Sequence, residues 1–446
     1  MKKFYNRSQE LQTLRQISQN TNKGLSSLSV LVGFRRVGKT RLINEAFKNT
    51  KHIYFFISKK SEKVLVQEFA EIIRIECNAK FFSPDSLIDI MEFLLDHATV
   101  HPITVIIDEF QDIRHINASF YSDLQNLWDK YRQRAQMHLV TSGSIYSLMT
   151  KIFKDDDEPL FNRHDHYFHI KPLAPSFIRE LLIDEQRYTA KEFLTWWCLS
   201  GGIPKYLEWL TNTTASKNVI QQLMSEFSPL LDEGKHRLID DFSQEHRTYF
   251  DILGAIASGN NTKPQIESYI GIQVNETLDN LVTTFDLVKK FHSIDAKPGA
   301  RGHHYQINDA FLRFWFRFIY KNRSAVEMKN THYILKIIER DFDSFAGREF
   351  EHLVSQILKE SMRFNRIGSF WDRKGHNEID IVAINDIDKE VLFLEAKLQG
   401  KNFDAAKLEQ KVNYAINKLK LFDYNIRQQC VALDDFDSFL KKYGTY

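Results

Sequence analysis

Gly33-Phe34-Arg35-Arg36-Val37-Gly38-Lys39-Thr40 fits the pattern G-x-x-x-x-G-K-[ST], and its surroundings are those the pattern needs. The apolar run Leu28-Ser29-Val30-Leu31-Val32 precedes it and a helix-like segment, Arg41 to Lys48, follows it. The glycines let the backbone curl so that its N–H groups point at phosphate oxygens, while the helix offers its positive dipole end to the same charge. Lys39 is then placed for the β- and γ-phosphates, and the Thr40 hydroxyl for Mg²⁺. Gly33, Arg36, Val37, Gly38 and Arg41 complete the set of loop residues expected around a bound nucleotide.

Working outward, the chain alternates apolar runs with amphipathic segments: His52–Ser58, Lys63–Ile75, Ser86–His97, Ile103–Asp108, Phe120–Arg134 and His138–Ser142. Strands separated by helices predict a parallel sheet covered on both faces. The run Ile103-Thr104-Val105-Ile106-Ile107 ends in Asp108-Glu109, which sets two carboxylates at the C-terminal rim of such a sheet. There Asp108 is a candidate Mg²⁺ ligand and Glu109 a candidate for acting on the water that attacks the γ-phosphate. His138 to Ser144 is a further strand ending in small polar residues, so Ser142 or Ser144 can sense the γ-phosphate or position water.

At 446 residues the chain is too long for one typical domain. Its 43% hydrophobic and 26% charged content is that of a globular protein with ample core. No apolar run approaches the length of a bilayer span, and Lys2 and Lys3 have no apolar segment behind them, so neither a membrane nor secretion is expected. Cys77, Cys198 and Cys430 lie far apart in no metal-binding spacing, which points to a reducing cytoplasm. A net charge of +2 gives no global sign of a nucleic-acid partner, which must then be argued from local patches.

Phe4-Tyr5-Asn6-Arg7 with Glu10-Leu11, the glycine loop, Asp108-Glu109 and Ser142-Gly143-Ser144 follow one another in an order that resembles prokaryotic ATPases of the AAA-like, STAND-related class. Gly201-Gly202-Ile203-Pro204-Lys205-Tyr206-Leu207 looks like the motif in the helical lid of that class. The resemblance implies ATP as the nucleotide, with Arg7 near it. Arg163 follows the fourth strand where many relatives carry a Gly-Arg pair, although this chain has Asn162 in place of the glycine. By resemblance Arg163 is a candidate for stabilising γ-phosphate charge, with a surface arginine as the plain alternative.

The middle of the chain reads as helices from Leu173 to Leu231, in which Trp196, Trp197 and Trp209 recur at core spacing. Three helices then precede two short strands, Leu287–His292 and His303–Ile307, the layout of a winged helix-turn-helix. Lys289, Lys290, Lys297 and Arg301 in that hairpin face one acid, Asp295, and suit phosphates. The recognition helix carries Glu276 and Asp279 and few donors for base edges, so any DNA contact is expected without sequence specificity. Phe311 to Phe318, with five aromatics, is expected to be buried where domains meet.

In the last third, a helix from Gly347 to Glu360 precedes two strands, Glu378–Ile384 and Val391–Lys397, joined by a polar turn. If Ile384 pairs with Val391, Asp380 stands opposite Glu395 and Glu378 opposite Lys397. Like charges so opposed are destabilising, and either Lys397 or a divalent Mg²⁺ or Mn²⁺ must lie between them. The pattern is similar to the PD-(D/E)XK nuclease fold. That resemblance implies Asp380 and Glu395 as metal ligands, Lys397 acting on the attacking water, and Glu351, rather than Glu349, completing the acids.

The fold expected is therefore an α/β multidomain chain: a P-loop NTPase core over residues 1–170, a helical lid over 171–240, a winged helix over 241–325 and a restriction-endonuclease-like domain over 326–446. The function expected is Mg²⁺-dependent ATP hydrolysis that controls a DNA-binding and DNA-cleaving C-terminal domain. The alternative is a nucleotide-switched regulatory protein whose nuclease-like domain is inactive. Oligomeric state is left open.

Overall fold

A computed structural model describes residues 3–214, 218–225, 228–242, 246–297, 302–372 and 376–445. The chain divides into two compact units, one of residues 6–171 and one of residues 1–5 with 172–446.

In the first unit, strands β1 (Ser27–Val32), β2 (His52–Phe56), β3 (Ile103–Asp108), β4 (Met137–Gly143) and β5 (His166–His169) form one sheet in the order β2-β3-β4-β1-β5. Every pairing is parallel. Central parallel strands are covered on both faces, which is why β3 and β4 are buried along their whole length. On one face Val30, Val105, Ile107 and Leu139 pack with Phe69, Leu94 and Trp128 from the helices Glu62–Glu76, Leu87–His97 and Phe120–Tyr131. On the other lie helices α1 (Ser8–Thr21) and α2 (Lys39–Phe47). That face buries polar groups in pairs: Ser18 with Thr104 at 2.8 Å, and Ser29 with His138 at 2.9 Å. Burial pushes the His138 imidazole down to about 3, so the ring is neutral.

β5 was not anticipated. Its four residues, His-Tyr-Phe-His, carry no apolar run, and its place at the sheet edge leaves it half-buried. Helix starts were more legible: the Ser86 side chain accepts from Asp89 N while the Asp89 side chain accepts from Ser86 N, a reciprocal cap that fixes the Leu87–His97 helix.

In the second unit, helices Pro175–Asp184, Ala190–Ser200 and Pro204–Thr211 enclose Trp196 and Trp197, both buried, while Trp209 is half-buried. Gly202 has φ 81°, and a Cβ there would lie 2.1 Å from the Leu173 carbonyl oxygen, so the turn between the last two of these helices admits only glycine. Next come helices His246–Ala257, Lys263–Ile270 and Asn275–Thr283 and an antiparallel hairpin of β6 (Val288–Phe291) and β7 (His304–Ile307). Phe311, Phe314, Trp315, Phe316 and Phe318 are all buried.

Thr331–Glu360 is one helix of 30 residues, where a connector and a shorter helix were expected. It leads into a mixed sheet ordered β11-β10-β9-β8, with β8 (Arg366–Phe370), β9 (Ile379–Asn385), β10 (Glu390–Lys397) and β11 (Asn425–Ala432). β11 runs parallel to β10, and the helix Ala405–Leu419 makes the crossover such a pair requires. Val382, Ile384, Val391 and Phe393 pack against Leu408, Val412 and Ala415 of that helix.

Candidate functional site

The glycine loop joins β1 to α2 at the C-terminal end of the sheet. Gly33 has no room for a side chain, since a Cβ would sit 2.5 Å from the Ile170 carbonyl oxygen. Gly38, at φ 96°, turns the chain into α2, and Arg36 is held at φ 66°. Lys39 is buried, and its ammonium donates to the carbonyls of Gly33 at 2.7 Å and Phe34 at 3.1 Å. That hook curls the loop around the point where an incoming phosphate would compete for the same ammonium. Val37 is buried, while Arg36 and Arg41 are exposed.

The other expected residues converge from β3 and β4. Thr40 Oγ1 donates to Asp108 Oδ2 at 2.8 Å, and the Tyr54 hydroxyl donates to the same oxygen at 2.8 Å. Burial and the adjacent Asp108 push the Tyr54 phenol well above its ordinary range, so it stays a donor. Glu109 is held at φ 56°, and its Oε2 accepts from Gln111 Nε2 at 2.7 Å and from Ser144 Oγ at 2.7 Å. Ser144 is thus the strand-end serine that touches Glu109. Ser142 lies between Asp108 and Leu31 in the sheet, fully buried, with its hydroxyl unbonded. Gly143 makes space for Gln111, whose Oε1 would lie 2.3 Å from a Cβ there.

Two arginines sit differently. The Arg7 guanidinium is buried and donates to Val37 O at 3.4 Å and to Lys171 O, so it braces the loop backbone from behind. Burial lowers its pKa. Arg163 grips Asp129 through Nε at 3.0 Å and Nη2 at 3.1 Å. It precedes His166, which pairs with Ser29 near the start of β1, whereas the loop leaves the far end of β1. Arg163 is therefore at the N-terminal end of the strands, whereas the glycine loop leaves their C-terminal end. The unanticipated strand β5 is what carries it there.

Mg²⁺ with ATP fits the first site on donor chemistry, since a hydroxyl and a carboxylate already share a hydrogen bond beside a phosphate-type loop.

Comparison with known proteins agrees. Residues 4–210 match the family model of an ATPase domain predominantly from Archaea. The first part of the chain is similar to an ATPase domain. Residues 315–409 match a family of archaeal and bacterial proteins of unknown function. An uncharacterized protein of Methanocaldococcus jannaschii is 27% identical across 99% of this chain and 95% of its own length. The Walker-type ATPase PABY2304 of Pyrococcus abyssi shares the fold at a TM-score of 0.52, with 20% identity over 70% of this chain and 96% of that one. The ORC2 protein of Aeropyrum pernix is 15% identical over 73% of this chain and 96% of that one; its TM-score of 0.44 is too loose to argue from. The ATPase-domain match supports ATP binding and hydrolysis, and the likeness to the solved structure shows the fold.

The second cluster lies on β9 and β10. Ile384 faces Val391, the ladder reaches Leu394 opposite Ile381, and Asp380 then accepts from Ala396 N at 2.9 Å. Lys397 Nζ lies 2.8 Å from Glu395 and 3.5 Å from Asp380. The opposed carboxylates thus have the positive charge they need, and a lysine supplies it. Lys411, from the helix Ala405–Leu419, reaches the other Glu395 oxygen at 2.5 Å. It was not anticipated; three residues after Leu408 on an amphipathic helix, it reads as a solvated lysine.

Glu351 projects toward Asp380, while Glu349 is buried and clasped by Arg313 at 2.5 and 2.6 Å. Burial and the neighbouring Asp380 push the Glu351 carboxyl far above the usual carboxylate range. Asp380 is raised by burial and then by Glu395, whereas the two lysines hold Glu395 low against its burial. Among the described residues, only Asp155, Asp156 and Asp157 bring three acidic ligand atoms within 4.8 Å of one another. The Lys397 ammonium takes the central position in which a metal between Asp380 and Glu395 was the other candidate.

The hairpin corrects one expectation. Lys290 and Lys297 are exposed, but Lys289 turns inward toward Arg313, Lys359 and Glu349, and Arg301 lies outside the described residues. Burial and those like charges push the Lys289 amine down to about 7. No helix among the described residues is long and apolar enough to cross a membrane.

Proposed function

We propose that this protein is a Mg²⁺-dependent ATPase whose nucleotide state controls a DNA-binding, DNA-cleaving C-terminal module. The observation that carries the second half is the Lys397 bridge between Asp380 and Glu395, at 3.5 and 2.8 Å, on adjacent strands beside Glu351. A lysine so held is poised, as an ammonium, to orient water and stabilise charge at a phosphodiester, and the carboxylates are the oxygen donors that Mg²⁺ or Mn²⁺ prefers. When bound, such an ion neutralises charge on the phosphate under attack.

In the first unit, Lys39 and the loop N–H groups would hold the phosphates, and Thr40 and Asp108 would hold the ion. Glu109, fixed by Gln111 and Ser144, takes up a proton from the attacking water. Ser142 adds a polar group at the strand end, Arg7 supports the loop, and Arg163 pairs with Asp129 away from the glycine loop. Lys290 and Lys297 offer charge to a DNA backbone without reading bases.

A second reading is a nucleotide-switched binding protein whose nuclease-like module is inactive. Lys397 and Lys411 already saturating Glu395 favour it. Nicking of plasmid DNA by purified protein with Mg²⁺ or Mn²⁺, with and without ATP, decides between them. Activity lost in Asp380→Ala supports the first reading; nicking that survives that change removes it.

A further inference from the structure

A cavity of about 500 Å³ opens beside Asp380, between the β6–β7 hairpin and the mixed sheet. Asp380 and Glu378 stand at one end, Arg348 borders it, and Phe291, His304 and Trp371 form an aromatic wall. The His304 ring lies parallel to the Trp371 indole, 4.7 Å between centroids and 9° between planes. Phe291 meets both edge-on, at 5.8 and 5.9 Å. Both stacked rings are half-buried, so each keeps surface free toward the cavity.

The hairpin is fastened in this position by backbone. Ile294 N donates to Ser369 O at 2.8 Å, continuing the edge of β8, and Trp371 N donates to Ser293 Oγ at 3.2 Å. Ile294 also packs 3.4 Å from the position a Cβ would take at Gly368. The aromatic wall therefore shares one cavity with Asp380, and a substrate entering that cavity meets it.

The chemistry of the cavity selects what enters. An uncharged flat ring is accepted by the aromatic wall, and its amino groups can donate to the Glu378 and Asp380 carboxylates at the end of the cavity, while Arg348 at its border can meet the backbone phosphate. Bases stacked inside a duplex cannot lie against the ring faces of a recessed aromatic wall unless they are unpaired and turned out. We infer that this site takes DNA with an unpaired base, as in a single strand or a frayed end, and that the base enters the cavity and stacks on the Trp371–His304 pair. The inference rests on the nuclease-like reading of Asp380, Glu395 and Lys397 and specifies its substrate.

Binding, measured without turnover, tests it. The full chain is titrated, in Ca²⁺ buffer, into fluorescently labelled single strands of about 12 nucleotides and into blunt duplexes of the same sequence, read by anisotropy. The single strand is expected to bind roughly tenfold tighter than the duplex, and Trp371→Ala to weaken only the single strand, by roughly tenfold. Trp371→Phe should retain most of the affinity, and His304→Ala gives the same readout should Trp371→Ala fail to fold. Equal affinity for both DNAs, no binding to either, or single-strand binding indifferent to both substitutions overturns the inference. Single-strand binding through Trp371 without any cleavage leaves it standing and removes only the nuclease reading; Asp380-dependent cleavage of duplex alone does the reverse.

Discussion

The Thr40 hydroxyl donates to the Asp108 carboxylate at 2.8 Å, joining the first turn of α2 to the end of β3 across 68 residues of sequence. The Lys39 ammonium, one residue earlier, is held by the carbonyls of Gly33 and Phe34. These contacts set the ligand-type groups in place before any nucleotide arrives, because they are made within the protein. Lys39→Ala removes the ammonium held by the loop carbonyls. Affinity for MgATP, measured by calorimetry, should fall roughly 100-fold, the worth of a charge-assisted contact of about 3 kcal/mol. Unchanged affinity would remove the loop from the nucleotide site.

Glu109 is pinned by Gln111 and Ser144 at 2.7 Å each. Replacing it with glutamine keeps the shape and removes the base. Phosphate release should slow by about 100-fold or more while ATP affinity stays within a few-fold of the parent. A parental rate in Glu109→Gln would assign the water-activating role elsewhere.

Arg313 and Glu349 form a two-pronged pair with side chains 12% and 2% exposed. Removing one partner leaves a buried charge, so Glu349→Ala should cost about 3–5 kcal/mol in denaturant unfolding. The paired change Arg313→Met with Glu349→Met should recover part of that loss, because neither charge is then stranded. A loss below about 1 kcal/mol in Glu349→Ala would mean the pair is hydrated.

Lys289 carries the pH prediction. Its amine falls from an ordinary 10.5 in the unfolded chain to about 7 in the folded one. Between those values the unfolded chain binds more protons, so stability rises with pH across this window and is lost as pH falls from about 10 toward 7. Lys289→Met removes the titrating group. Its melting temperature should exceed the parent's most at pH 7 and below, and the gap should close toward pH 10. A gap independent of pH would show that Lys289 is as solvated as an ordinary lysine.

The two sites were unequally legible in the sequence. The glycine loop, the Asp108-Glu109 strand end and the register of Ile384 with Val391 are local patterns, where period and turn length fix which side chains share a face. The position of Arg163 was not legible because β5 has no apolar run to announce it, and which end of the sheet a residue occupies cannot be known before the strand is. Lys411 and Arg313 gave no signal, since a lysine or arginine on an amphipathic helix looks solvated until the opposing acid is known.

Sequence by itself determined the alternation that builds the parallel sheet, the phosphate-type loop at its C-terminal edge, and the opposed acids of β9 and β10, because each follows from short-range backbone geometry. Tertiary structure alone decided that Lys411 joins Lys397 on Glu395, that Lys289 turns inward, and that the hairpin docks on β8 and walls the Asp380 cavity with His304 and Trp371. Those outcomes depend on which distant surfaces bury one another, and burial and paired charge between residues tens to hundreds apart are not encoded in any local period.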